Sequence, residues 1–370
     1  IPRLQSSAKD SFWRNNLEFL TDFGLFIAKT VTLVVALLVV VSVIISAAHK
    51  DKGDASEEGE LKVRKLNDKY RKLREHLQAK LRSESERKLW EKAHKKEEKA
   101  KHKEEKAKRK KSGDEQPEQA ARVFVLDFDG DIKASDTDPL RRSITAVLSI
   151  ADPEKDEVVI RLESGGGMVH SYGLAAAQLD RIRAKGISLT ACVDKVAASG
   201  GYMMACVANK IVSAPFAIIG SIGVITQVPN FNKLLKKNDI DFEQFTAGEF
   251  KRTVTMFGEN TDKGREKFVE ELEETHILFK NFVNEHRPSL DITKVATGEH
   301  WFGTQAKDLG LVDELQTSDD YLQARCKSHK LVQIKYVTKK GLAEKFSKAA
   351  SLSFDAVISK VWQNNRIFPN

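Results

Sequence analysis

Two glycine-bearing turns carry the groups best suited to chemistry. The first is Glu163-Ser164-Gly165-Gly166-Gly167-Met168, and the second is Val196-Ala197-Ala198-Ser199-Gly200-Gly201-Tyr202. Consecutive glycines let backbone N–H groups approach a ligand closely, as a phosphate loop or an oxyanion hole requires. A P-loop needs Gly-Lys-Ser/Thr, and a dinucleotide loop needs Gly-x-Gly-x-x-Gly; the triplet fits neither. Ser199 lies between Ala and Gly and opens the apolar run MMACVA after Tyr202, so its hydroxyl is uncrowded. The N–H after it could face an oxyanion. Each turn also has a plain structural reading: a tight strand-to-helix turn for the triplet, and a helix N-cap for Ser199. A nucleophilic serine needs a base. The candidates are His170, His300 and Lys251, the last within Thr246-Ala247-Gly248-Glu249-Phe250-Lys251-Arg252. A lone lysine is ordinarily a surface charge.

The surrounding elements must present these turns on one side of a sheet. Val123–Phe128, Glu157–Leu162 and Ser188–Val193 are short apolar runs that predict strands. Leu140–Ile150 and Tyr172–Ile182 carry helical periodicity between them, so the segment predicts an α/β domain with a largely buried parallel sheet. Both glycine turns follow predicted strands, where open α/β sheets place their ligands.

Upstream the chain changes character. Thr30–Ala48 is 19 residues without a charge, enough as a helix to approach the ~30 Å hydrocarbon core of a bilayer. Extended back to Phe23 it predicts a retained transmembrane helix over 23–48, after an N-terminal segment over 1–22. A cleaved signal would have a shorter core. Basic residues on both sides of the run leave orientation weakly tilted to a cytoplasmic catalytic domain. Residues 49–111 form a basic arm: 22 of the 61 Lys and Arg lie between Leu61 and Lys111 against 9 acidic residues, so the rest of the chain is mildly acidic. Val63, Leu66, Tyr70, Leu73 and Leu77 repeat at helical spacing there, and from Glu91 the arm becomes a charged, solvated helix. A spacer helix, contact with anionic lipid and nucleic-acid binding are the readings of that arm. No aromatic interleaving or recognition motif supports nucleic acid, and none is expected as a partner. Residues 112–121 read as a linker. The cysteines, Cys192, Cys206 and Cys326, are odd in number and lack Cys-x-x-Cys spacing. No disulfide framework or metal site follows, and no cofactor is expected.

The run DKVAASGGYMMACVANKIVSAP, then GSIG, TAGEFKRT and GEHWFGTQAKDLGLVDEL, resembles the membrane-anchored relatives of signal peptide peptidase A, in their order and spacing. The likeness extends from the anchor to about Leu315. It implies an α/β, crotonase-like fold shared with the Clp-type serine proteases, over residues 122–315, with 316–370 as a C-terminal extension. It also implies a serine endopeptidase of the bacterial inner membrane that cleaves peptides or membrane-protein fragments. By position, Ser199 is then the nucleophile and Lys251, 52 residues later, the general base. Ser221 of Gly220-Ser221-Ile222-Gly223 would hold the lysine amine, and the N–H groups of Gly167 and Gly200 would form the oxyanion hole. The family commonly has proline ahead of its glycines, where this chain has Gly165. A homo-oligomer is implied as well, with serine and lysine able to come from neighbouring subunits.

A Ser–Lys dyad makes a physical demand. A free lysine titrates near ~10.4 and is protonated at neutral pH; only removal from water frees it to act as a base. Phe245, Phe250 and Phe257 lead to the expectation that Lys251 is desolvated in the assembled enzyme and that activity rises with pH. Three rivals stand beside the dyad. An acyl-CoA enzyme of the same fold would use the glycine N–H groups alone, a Ser–His hydrolase would use His170, and a membrane scaffold would use only the basic arm.

Overall fold

The computed structural model describes residues 59–90 and 120–338, with helical positions at 25–27, 29–35 and here and there between 92 and 103. Leu61–Tyr336 form one compact unit, and Ile1–Glu60 with Val337–Asn370 are assigned to a second. Most of the expected anchor over 23–48, the charged run beyond Glu91 and the linker lie outside the described residues. Among the described residues no helix is long and apolar enough to cross a membrane.

The compact unit is built on one mixed sheet with strand order β1-β10-β2-β3-β4-β6-β9. The strands are β1 (Gly59–Lys65), β2 (Arg122–Gly130), β3 (Glu157–Ser164), β4 (Ser188–Val193), β6 (Lys210–Ser213), β9 (Glu314–Leu315) and β10 (Lys330–Thr338). Pairing from β10 through β2, β3, β4 and β6 to β9 is parallel throughout. Side chains alternate across a strand, and here both faces are covered. Phe124, Leu126, Phe128, Val158, Ile160 and Leu162 enter the larger core. Val123, Val125, Val159 and Cys192 enter the smaller one on the opposite face. That double burial is why these strands read as continuous apolar runs.

The larger core is closed by α2 (Thr137–Leu148), α3 (Val169–Ala184) and α4 (Gly200–Ala205). The smaller one is closed by α1 (Leu66–Lys80), through Leu66, and α9 (Ser318–Arg325), through Tyr321 and Leu322. One expectation is corrected here. Residue 63 belongs to β1, so the helix of the arm begins at Leu66, where its first side chain meets the core. Beyond residue 315, α9 covers the sheet and β10 pairs in parallel with β2.

The feature that builds the site is a fork in β3. Residues 157–161 pair with β4, but Ser164 at the carboxyl end pairs with Ala197 of β5 (Val196–Ala198). β5 continues in parallel to β7 (Ile218–Gly220), with Ala198 opposite Gly220, and β7 pairs antiparallel with β8 (His300–Phe302).

Candidate active site

Because Ser164, Ala198 and Gly220 end three adjacent parallel strands, the residues that follow them emerge together. These are Gly165–Gly167, Ser199–Gly200 and Ser221. Ser199 has φ +53° and ψ −120°, in the left-handed half of backbone space that side chains other than glycine avoid. Its N–H donates to the Gly220 carbonyl at 2.8 Å and its carbonyl accepts from Met203 at 3.0 Å, so the turn is fixed at both ends. Ser199 sits at the N-cap of α4, yet its side chain makes no capping hydrogen bond. The structural reading of this serine as a helix cap is therefore not what the geometry shows. Ser199 is half-buried at a strand–turn–helix junction, the arrangement that presents a nucleophile above a sheet.

The glycine loop lies directly against this turn. Gly166 has φ +88°, and a Cβ there would come within 2.7 Å of both the Gly200 nitrogen and the Ser199 Cβ. The Gly166 N–H is taken by Ser164 Oγ at 3.1 Å and the Met168 N–H by the Ile132 carbonyl at 2.9 Å. The N–H groups of Gly167 and Gly200 have no protein acceptor among the described residues. Two donors without a protein acceptor thus lie on the loop and the turn that pack together at Ser199, the kind of groups an oxyanion hole needs.

Ser221 shares the strained conformation, with φ +52°. Its N–H donates to the Glu299 carbonyl at 2.7 Å, and its hydroxyl has no partner among the described residues. The neighbouring Gly220, at φ +100°, packs against the Trp301 ring, and β8 sets His300 opposite Gly220. His170 is exposed at the start of α3.

Lys251 is placed elsewhere. It is exposed in an irregular segment, with its own N–H bonded to the Gly248 carbonyl at 3.2 Å. It lines a groove of about 910 Å³ with Phe242, Phe245, Val254, Met256 and Phe257; Ser199, Ser221, Gly167 and Gly200 are not part of that groove. No hydrogen bond joins Ser199 and Lys251 within the chain. The segment is held by its own contacts: Asn230 Nδ2 donates to the Thr255 carbonyl at 2.9 Å and Asn232 Nδ2 to the Phe257 carbonyl at 2.8 Å. Phe231 and Phe242 pack on Phe257. The structure thus brings together four of the five predicted site residues and leaves the fifth on a separate surface.

What the sequence did not reveal is the layer beneath. Tyr172 is fully buried and its hydroxyl donates to the Asp131 carbonyl at 2.7 Å; burial raises its pKa. Cys192 lies on the opposite face of the sheet, where burial pushes its thiol up to about 12. Burial likewise raises the thiol of Cys206, which favours the protonated form of both. Among the described residues no group of His, Cys, Asp and Glu could hold a metal ion.

The chain is similar to known proteins along most of its length. The pattern of the Peptidase family S49 N-terminal region matches residues 18–179, and that of Peptidase family S49 matches residues 181–333. A Haemophilus influenzae protein named probable protease SohB is 54% identical over 343 residues, spanning 93% of this chain and 96% of that one. A probable protease SohB from Buchnera aphidicola subsp. Schlechtendalia chinensis is 47% identical over 310 residues, spanning 84% of this chain and all of the relative. A solved mutant of the 1510-N membrane-bound stomatin-specific protease aligns with 14% identity and a TM-score of 0.37, covering 56% of this chain and 85% of that one. With both S49 patterns spanning the glycine loop and the Ser199 turn in sequence, the chain belongs to peptidase family S49.

Proposed function

We propose that this S49 peptidase is a serine endopeptidase in which Ser199 attacks the scissile carbonyl, Lys251 takes the serine proton and Ser221 orients the lysine amine. The Gly167 and Gly200 N–H groups would then receive the developing oxyanion. The observation that carries this reading is the Ser199 turn itself. A non-glycine residue is held at positive φ, its hydroxyl free of the helix it precedes, with the glycine loop packed against its turn. Strain of this kind persists only where the surroundings impose it, and it clusters at active sites. The forked sheet supports the crotonase-like assignment.

The position of Lys251 favours a base supplied between chains. Its segment carries exposed apolar side chains, among them Ile225, Phe245, Phe250, Met256 and Phe257. A surface of that kind marks an interaction site. A second copy seated on it would bring Lys251 to a neighbouring Ser199 and remove the amine from water. Residues 23–48 would anchor the assembly in the bacterial inner membrane with the catalytic domain toward the cytoplasm. Apolar peptides and membrane-protein fragments are the substrates such a position suits.

A Ser–His reading has one observation in its favour, the pairing of His300 with Gly220. The deciding measurement is cleavage of unfolded casein by detergent-purified protein and its Ser199→Ala, Lys251→Ala and His300→Ala variants, each checked for folding. Loss of roughly 10³-fold or more in the first two, with His300→Ala active, is expected for the dyad. Cleavage surviving Lys251→Ala and lost in His300→Ala moves the base to histidine. Cleavage surviving Ser199→Ala removes the serine mechanism, and cleavage by none of the folded proteins returns weight to an acyl-CoA or scaffold role.

A further inference from the structure

The hydroxyl that ends β3 does more than close the strand. Ser164 is 2% exposed, and its Oγ sits 2.6 Å from the Tyr172 hydroxyl and accepts the Gly166 N–H at 3.1 Å. The Tyr172 proton is committed to the Asp131 carbonyl at 2.7 Å. The Ser164 proton must therefore go to the Tyr172 oxygen, which leaves Ser164 lone pairs for Gly166. The direction of the chain is thus fixed: Gly166 N–H to Ser164, Ser164 to Tyr172, Tyr172 to Asp131.

This buried chain touches both sources of the oxyanion donors. On one side it holds Gly166, the neighbour of Gly167. The far end of the triplet is closed by Met168 donating to Ile132, the residue after Asp131. On the other side the Tyr172 ring lies directly against Gly200 and the Ser164 carbonyl against Gly201, too close for either glycine to carry a side chain. The Ser164–Tyr172 pair thereby lies between the loop that carries Gly167 and the turn that carries Gly200, bonded to the first through its hydroxyls and packed on the second through the tyrosine ring.

We propose that Ser164 and Tyr172 are positioning residues that preorganise the oxyanion hole, an inference that rests on the reading of Gly167 and Gly200 as its donors. Oxyanion donors act only when aimed before charge develops, and a deleted donor costs roughly 10²–10³-fold in rate. Loosening both donors without removing either should cost part of that. The effect falls on the transition state, so kcat drops while ground-state binding stays.

The test uses the full-length, detergent-purified protein with Ser164→Ala, Tyr172→Phe and the double variant. Tyr172→Phe keeps the ring that packs on Gly200 and removes only the hydroxyl. Two readouts are taken: kcat and KM on fluorescent casein, and amide hydrogen exchange of residues 163–171, with thermal unfolding as a check on folding. The expected result is a kcat lower by roughly 10- to 100-fold with KM within about twofold. The double variant should be no slower than the slower single, because both break one chain. Exchange over 163–171 should accelerate in both singles. Unchanged exchange, or kcat within about twofold of wild type in folded variants, overturns the proposal. So do losses that appear in KM alone or multiply in the double variant, since a merely structural role would give them. If Ser199→Ala still cleaves casein, the catalytic reading fails, while the exchange data still report whether the two hydroxyls hold the loop.

Discussion

Ser199 keeps its backbone at φ +53° because neighbours leave it no alternative: Gly220 takes its N–H, and Gly166 fills the space beneath its Cβ. Such a conformation costs on the order of 1–3 kcal/mol, which the surrounding fold offsets. The three glycines of the loop are accordingly unequal. A Cβ at Gly165 meets nothing within 4 Å, whereas one at Gly166 strikes the nucleophile turn at a φ of +88°. Gly165→Ala should leave casein cleavage within about threefold of wild type, and Gly166→Ala should lower it by roughly 100-fold or more. Equal activity in the two variants would show that the loop does not pack on Ser199 as described. The sequence marked the triplet and the serine as chemically capable, but it could not rank the glycines. Their φ values follow from where β3 meets β5, not from local composition.

At the scale of elements, legibility tracked length and burial. β4 was readable at Ser188–Val193, and β2 and β3 to within two residues at their ends, because both sheet faces are buried and the apolar runs are unbroken. β5 and β7 were not, since three residues are too few to display a period, yet these two strands deliver Ser199 and Ser221. β10 escaped for a different reason: its partner β2 lies some two hundred positions earlier, and pairing at that distance leaves no local signature. The end of α6 (Asp262–His286) is tied to the sheet by another long-range contact, the pair of Arg287 and Asp313 at 2.8 Å. Asp313 also accepts the Ile211 N–H at 2.7 Å, at the start of β6. Burial alone would raise the Asp313 carboxyl, but the Arg287 and Ile211 hydrogen bonds outweigh it and hold the pKa below the ordinary carboxylate value. A depressed folded-state pKa contributes stability above the unfolded value, near ~3.9, and that contribution is lost as pH falls through the folded value. Denaturant unfolding should therefore show wild-type stability falling below about pH 4 more steeply than that of Asp313→Asn, which has nothing to protonate there. Parallel pH profiles for the two proteins would mean that the pair adds no acid-sensitive stability.

Over the whole molecule, the site and its proposed base make opposite demands on solvent. The serine turn is already built within one chain, with every residue of α4 buried behind it. Lys251 stands exposed on an irregular segment, in one groove with Phe245, which is 89% exposed. A lysine serving as base must be stripped of water, so the groove it lines has to be covered by something apolar. A second copy of the same chain, as proposed above, would satisfy that demand and would supply the partner of Ser199 in the same act. The arrangement is testable by complementation. Ser199→Ala and Lys251→Ala proteins should each be inactive alone. In oligomers co-assembled from equal amounts, a site works only when a chain retaining Ser199 meets a neighbour retaining Lys251. Random assembly in a closed ring makes about a quarter of the sites competent, so about a quarter of wild-type casein cleavage should return. Phe245→Ser, which removes only an exposed ring, should leave thermal unfolding of the isolated chain within the small range of surface substitutions. It should also lower both the oligomer mass and the recovered activity. If the mixed assemblies stay inactive while each variant forms oligomers of wild-type mass, Lys251 serves the Ser199 of its own chain. The segment that carries it must then fold back onto the catalytic turn.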